Sequence, residues 1–154
     1  MSAIEQRLAE LGLSLPPAAA PAANYVPWQR SGSQVIVAGQ LPLRDGKVAV
    51  TGLLGDGVSL EQGQEAARLC GLNILAQVKA ACGGALPSGL RCLRLGGFVA
   101  CTADFLDHPK VVNGASDLMV AALGDAGRHA RVAVGVASLP LGAAVEVDGL
   151  FEVS

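Results

Sequence analysis

Residues 59 to 82 constrain the fold more than any other stretch of the chain. Ser59 with Gln62 three positions on is a capping-box signature, and Ala67, Cys70, Gly71, Ile74, Leu75, Val78 and Cys82 follow at helical spacing until Gly83-Gly84 ends the pattern. Such a helix is apolar along one side and must bury that side against another element. The rest of the chain offers β-strands for the purpose.

Tyr25 to Pro42 holds two β-rich runs around Ser31-Gly32-Ser33, which predicts a hairpin, and Arg44-Asp45-Gly46 marks a second turn with a short strand at 47–50. Leu90 to Thr102 alternates and then becomes wholly apolar, as a central strand does, with Gly96-Gly97 marking a bulge or a close approach. Asp107 stands where an N-cap would, ahead of a second helix whose face is Val111, Val112, Ala115, Leu118, Met119, Ala122 and Leu123. Two strands close the chain, at 130–138 and 144–153. In the last, Val145, Val147, Phe151 and Val153 share one face while Glu146, Asp148 and Glu152 share the other. The sum is an α+β sandwich: a mainly antiparallel sheet with two amphipathic helices packed on one face. The short Ser-Leu-Pro-Leu-Gly connection predicts that the last two strands pair as a hairpin. Arg131, Ala133, Gly135 and Ala137 would then share the open face with Glu146 and Asp148.

Residues 2–13 read as a short helix with Ile4, Leu8 and Leu11 on one face, and Pro16, Pro17 and Pro21 prevent its continuation. The expected organisation is an N-terminal helical arm and Pro/Ala linker over residues 1–23, then one domain over 24–154. Glu5, Arg7 and Glu10 break any secretory apolar core, and the apolar stretch from Val132 to Val145 is interrupted by Pro140 and Gly142 and is too short to cross a bilayer. A cytoplasmic protein without membrane contact is expected.

Lys plus Arg number 11 against 13 Asp plus Glu, for a net charge of −2, and no segment concentrates the basic residues. That balance lacks the electrostatic footprint of a nucleic-acid binder, and 3% aromatic residues supply no stacking platform. With 51% apolar and only 16% charged residues, part of the surface is expected to be covered by other copies, as in a homo-oligomer. Cys70, Cys82, Cys92 and Cys101 show no C-x-x-C spacing, and His108 and His129 make no ligand pattern with one another. No metal is expected, and the cysteines read as small buried hydrophobes.

The strand "ARVAVGV" is built from small apolar residues yet opens with Arg131. A guanidinium in a partly dry cleft offers a planar fork that matches a carboxylate, and a nearby carboxylate such as Glu146 can move a proton or orient a water. Pattern alone leaves two readings open: a catalytic couple, or a solvated cross-strand ion pair.

Three blocks, "NYVPWQRSGSQVIVAGQLPL" (24–43), "FVACTADFLDHPKVVN" (98–113) and "ARVAVGVASLPLGAAVEVDGLFEV" (130–153), resemble the RidA (YjgF) family of reactive-intermediate deaminases. The resemblance implies a chorismate-mutase-like fold, a homotrimeric barrel and a ligand cleft between subunits. It also implies hydrolysis of 2-imino or enamine acids to 2-keto acids and ammonia, the chemistry of a 2-iminobutanoate/2-iminopropanoate deaminase, with no cofactor. Arg131 would hold the carboxylate of the small substrate and Glu146 would serve the attacking water. Tyr25 would wall the cleft, Gly39 would approach the ligand by its backbone, and Ala133 would offer its carbonyl. Asn113 also matches a family position, where the residue pattern favours an exposed or capping role. Ala133 stands where the family often has Cys or Ser, and "PAAN" precedes Tyr25 where a Gly-Pro is expected, which marks a divergent subgroup. Three other functions fit the same residues: a non-catalytic module binding a small carboxylate or amine, an endoribonuclease, and a structural oligomer that pairs Arg131 with Glu146 across subunits.

Overall fold

The computed structural model describes residues 1–21 and 23–154. The first helix, α1 (Ala3–Glu10), is closed by a capping box in which Ser2 Oγ accepts from Glu5 N at 3.2 Å and Glu5 Oε2 accepts from Ser2 N at 3.1 Å. Ile4 and Leu8 are buried in the same hydrophobic cluster as the rest of the chain, so this arm is packed. Lys79 Nζ lies 2.5 Å from Glu5 Oε1, and Arg7 Nε donates to Ala122 O at 2.7 Å, fastening α1 to two later helices.

Helix α2 (Leu60–Ala81) begins at the predicted cap: Ser59 Oγ accepts from Gln62 N at 3.1 Å and Gln62 Oε1 accepts from Ser59 N at 2.8 Å. Its apolar side is buried from Ala67 to Val78, Cys82 at the C-cap is half-buried, and burial extends round to Leu69, Leu72 and Ala76. Helix α3 (His108–Leu123) buries all seven residues of the predicted face. Asp107 precedes it without capping it, because its backbone is not extended and Pro109 brings no N–H. Lys110 N is served instead by the Asp107 carbonyl at 3.0 Å, and the Asp107 carboxylate pairs with Lys110 Nζ at 3.6 Å.

The hairpin β1 (Trp28–Ser31) and β2 (Gln34–Gln40) forms around Gly32, whose φ of 58° suits glycine. Two short ribbons follow: β3 (Leu43–Arg44) with β4 (Lys47–Val48), and β5 (Leu53–Leu54) with β6 (Gly57–Val58). The main sheet adds β7 (Arg91–Ala100), β8 (Ala130–Val136) and β9 (Val145–Glu152), in the order β1-β2-β9-β7-β8. All of its pairings are antiparallel except β7 with β8. The expected mixture holds, with helices layered on one face of a mainly antiparallel sheet.

The expected hairpin of the last two strands does not form: β7 lies between β8 and β9. The chain leaves β7 through α3 before entering β8, and a strand–helix–strand crossover returns a parallel neighbour. β8 thus takes one side of β7, while β9 enters antiparallel between β2 and β7.

The helix layer sits closely on the sheet because β7 has no side chain at Gly97. A Cβ there would stand 2.4 Å from Val112 Cγ2 of α3. Gly97→Ala is expected to destabilise the fold by about 1–3 kcal/mol through overpacking. Val112→Ala in the same chain should make the double variant less destabilised than the sum of its singles, as thermal unfolding would show. Strict additivity would mean that the two positions do not meet.

Candidate functional site

Residues 95, 97 and 99 of β7 face the helices, as the Gly97–Val112 approach shows, and residues 96 and 98 face the other way. Arg131 pairs with Leu95 across the β7–β8 ladder, which puts it on the helix side. Glu146 pairs with Phe98 across the β7–β9 ladder, which puts it on the open side. Arg131 and Glu146 therefore do not share one face, contrary to the sequence expectation. The strand inserted between them reverses the inference drawn from a hairpin.

Arg131 is a half-buried residue at the β8 edge, and α3 presents it with three acceptors. Nη1 donates to Asn113 Oδ1 at 2.8 Å and to Ser116 Oγ at 3.0 Å, and Nη2 donates to the Pro109 carbonyl at 3.0 Å. A guanidinium carries five N–H groups, and Nε–H has no partner among the described residues. Nε–H and the remaining Nη2–H are the kind of adjacent donors that a carboxylate matches in bidentate fashion. Ala133, two residues on and on the same face, is half-buried against the core opposite Gly97. At Gly135 the same face runs under Cys101 Sγ and His108 Nε2, which meet at 3.4 Å. Burial pushes the Cys101 thiol up, so this contact involves a neutral thiol.

The second group lies on the open face. A Cβ at Gly39 would stand 2.9 Å from Glu146 Cδ, so the missing side chain on β2 makes the room that the Glu146 carboxyl occupies. Burial raises the affinity of Glu146 for its proton, and the neighbouring Asp148 carboxylate raises it further. Tyr25 is 48% exposed and lies two residues before Pro27, whose carbonyl accepts from Ala38 N at 2.9 Å beside Gly39. Tyr25, Gly39 and Glu146 thus belong to one part of the molecule, and Arg131, Ala133 and Asn113 to another.

Asn113 is an acceptor for Arg131 rather than an exposed or capping residue. Ser116, at the next position of α3 facing the guanidinium, was not legible in the sequence. Asn113 and Ser116 share a face at i, i+3 spacing, a signal that gains meaning only once β8 is known to lie under α3. A separate cavity of about 780 Å³ lies between the Gly12–Ala19 segment, the Arg44–Gly46 turn and α2, and none of these site residues lines it. Among the described residues, no helix is long and apolar enough to cross a membrane.

A family model described as "YjgF/chorismate mutase-like, putative endoribonuclease" matches residues 5–152. Protein TCP17 of Trypanosoma cruzi is 47% identical over 152 residues, covering 98% of this chain and 94% of that one. The crystal structure of Atu1372 from Agrobacterium tumefaciens, a protein of unknown function, superposes with a TM-score of 0.91 at 52% identity, covering 98% of this chain and 93% of that one. A structure from Shewanella oneidensis, described as that of a "putative endoribonuclease", superposes with a TM-score of 0.93 at 37% identity, covering 99% of this chain and 100% of that one. Coverage this complete includes most of the N-terminal arm.

The contribution of Asp148 to the Glu146 environment has a defined sign. Asp148→Asn removes the like charge and should move the Glu146 titration midpoint to lower pH, while leaving it above an ordinary glutamate because burial is the larger cause. Carboxyl-carbon NMR titration measures this; an unmoved or rising midpoint would refute the arrangement.

Proposed function

The chain belongs to the YjgF/chorismate mutase-like family, and from that premise we propose that it hydrolyses reactive 2-imino and enamine acids to 2-keto acids and ammonia. The reaction takes place in a cleft between copies of a homotrimer in the cytoplasm. The observation that carries this reading is the Arg131 fork, held by α3 with two donors to spare beside small residues of β8. A substrate carboxylate completes that fork.

The proton carrier comes from a neighbouring copy. Within one chain, Glu146 and Arg131 lie on opposite faces of the sheet. Ile36, Val132 and Val134 are 52%, 37% and 38% exposed, an apolar surface that a second copy would cover. In that assembly Arg131 and Ala133 of one copy face Glu146, Gly39 and Tyr25 of the next.

Water adds to the imine carbon as Glu146 takes its proton, and the nitrogen is protonated in turn. The carbon–nitrogen bond of the resulting carbinolamine then breaks, releasing ammonia and leaving the keto acid. Every atom of product comes from the imine and one water, so the step needs no cofactor. Glu146, whose carboxyl holds its proton more tightly than usual because it is desolvated and lies beside Asp148, can both take and return a proton. Positioning supplies most of the acceleration, since imine hydration is intrinsically easy. The endoribonuclease named in the family description gains no electrostatic support from a net charge of −2.

The test generates short-lived imino acids in place with an amino-acid oxidase and follows ammonia and keto-acid release. Arg131→Ala should lower kcat/KM for carboxylated imines by about a hundredfold, as expected from losing a bidentate charge-assisted contact and the orientation it gives. Unchanged turnover would sink the proposal. Co-refolding Arg131→Ala with Glu146→Gln should restore roughly a quarter of wild-type activity, because random assembly returns both intact residues to that share of shared clefts. No recovery would place both residues in one copy's cleft. Absence of turnover together with thermal stabilisation by 2-oxobutanoate would make the protein a binding module.

A further inference from the structure

We propose that His129 and Ser116 form a hydrogen-bond relay that positions Arg131 for its ligand, an inference that rests on the carboxylate-binding reading above. His129 Nδ1 lies 2.6 Å from the Gly127 carbonyl. A carbonyl only accepts, so Nδ1 carries the proton, and in the neutral ring Nε2 is an acceptor. Ser116 Oγ lies 2.8 Å from that Nε2 and donates its hydroxyl proton to it. With its proton directed to the imidazole, Ser116 Oγ presents its lone pairs to Arg131 Nη1 at 3.0 Å. Every bond in the chain then points one way, from Arg131 through Ser116 and His129 to Gly127.

The direction matters because a hydroxyl can face a cation only with its oxygen. Without an acceptor at His129 Nε2, the Ser116 proton is free to rotate, and its oxygen holds Arg131 less firmly. Arginine loses rotamer freedom when its side chain is fixed. A guanidinium held by Asn113, Ser116 and Pro109 before the ligand arrives has already met that cost. The buried Gly127 anchors the far end: a Cβ there would stand 2.1 Å from the Met119 carbonyl, so the turn carrying the Gly127 acceptor is fixed against α3. His129 is therefore a positioning residue: its hydrogen bonds among the described residues go to Ser116 and Gly127, and it acts on Arg131 through Ser116.

The experiment measures KM and kcat for oxidase-generated imino acids and the Kd of 2-oxobutanoate in Ser116→Ala, His129→Leu and His129→Gln, with Arg131→Ala beside them. Ser116→Ala and His129→Leu should raise KM and Kd about tenfold, the scale of weakening a hydrogen bond to a charged group, while kcat stays within about twofold. His129→Gln keeps an acceptor within reach of the Ser116 hydroxyl and should return KM to within about threefold of wild type. Unchanged KM in both damaging variants, or a fall in kcat and melting temperature with KM unmoved, would overturn the relay, as would failure of Gln to rescue. If Arg131→Ala itself binds 2-oxobutanoate as tightly as wild type, the carboxylate reading falls with it. If Arg131→Ala loses binding while the relay variants retain it, the relay alone is wrong.

Discussion

Close seating of α3 on the sheet is the contact on which the rest of the site depends. Gly97 leaves no side chain between β7 and Val112, and at the helix–helix contact a Cβ on Gly114 would stand 2.0 Å from the Gln64 carbonyl of α2. Both are close approaches that only glycine permits. They bring Asn113 and Ser116 within hydrogen-bond reach of a side chain at the edge of β8.

The division of charged groups between the two sheet faces follows from the same geometry. Arg131 is surrounded by acceptors on the helix side, where its charge is neutralised by dipoles rather than by a carboxylate. Glu146, on the open side, has desolvation and Asp148 acting together against its ionised form. An ion pair between them inside one chain would lower the proton affinity of the carboxylate and occupy free N–H groups of the guanidinium.

The N-terminal arm gains its order from buried amides as much as from apolar contact. Burying Ile4 and Leu8 contributes about 1.5–3 kcal/mol each. Between α1 and β1 the described residues form no helix or strand, yet Gln77, 1% exposed, donates to the Ala19 carbonyl at 2.7 Å. Asn73, 2% exposed, donates to the Leu43 and Leu69 carbonyls at 3.1 and 2.8 Å. Polar groups removed from water need such partners, so α2 holds the Pro/Ala stretch as well as the β3 strand.

The sequence by itself determined the main helices and the long strands, though not the β5–β6 ribbon, because period and punctuation are local properties. The Ser59–Gln62 box, the apolar face of α3 and the Gly32 turn all appear where pattern puts them. It also singled out Arg131 and Glu146, since an isolated charge in a run of small apolar residues is visible without coordinates. Tertiary structure decided which strands are neighbours. The eight residues between β8 and β9 span β7 as readily as they would close a hairpin, and only the crossover through α3 and the central slot taken by β9 settle the order. A strand, a helix and a strand in succession was the legible hint of a parallel pair. The side of the sheet on which Arg131 lies, and its partners Asn113, Ser116 and, through Ser116, His129, depend on pairing between segments far apart in the chain, which no local period records.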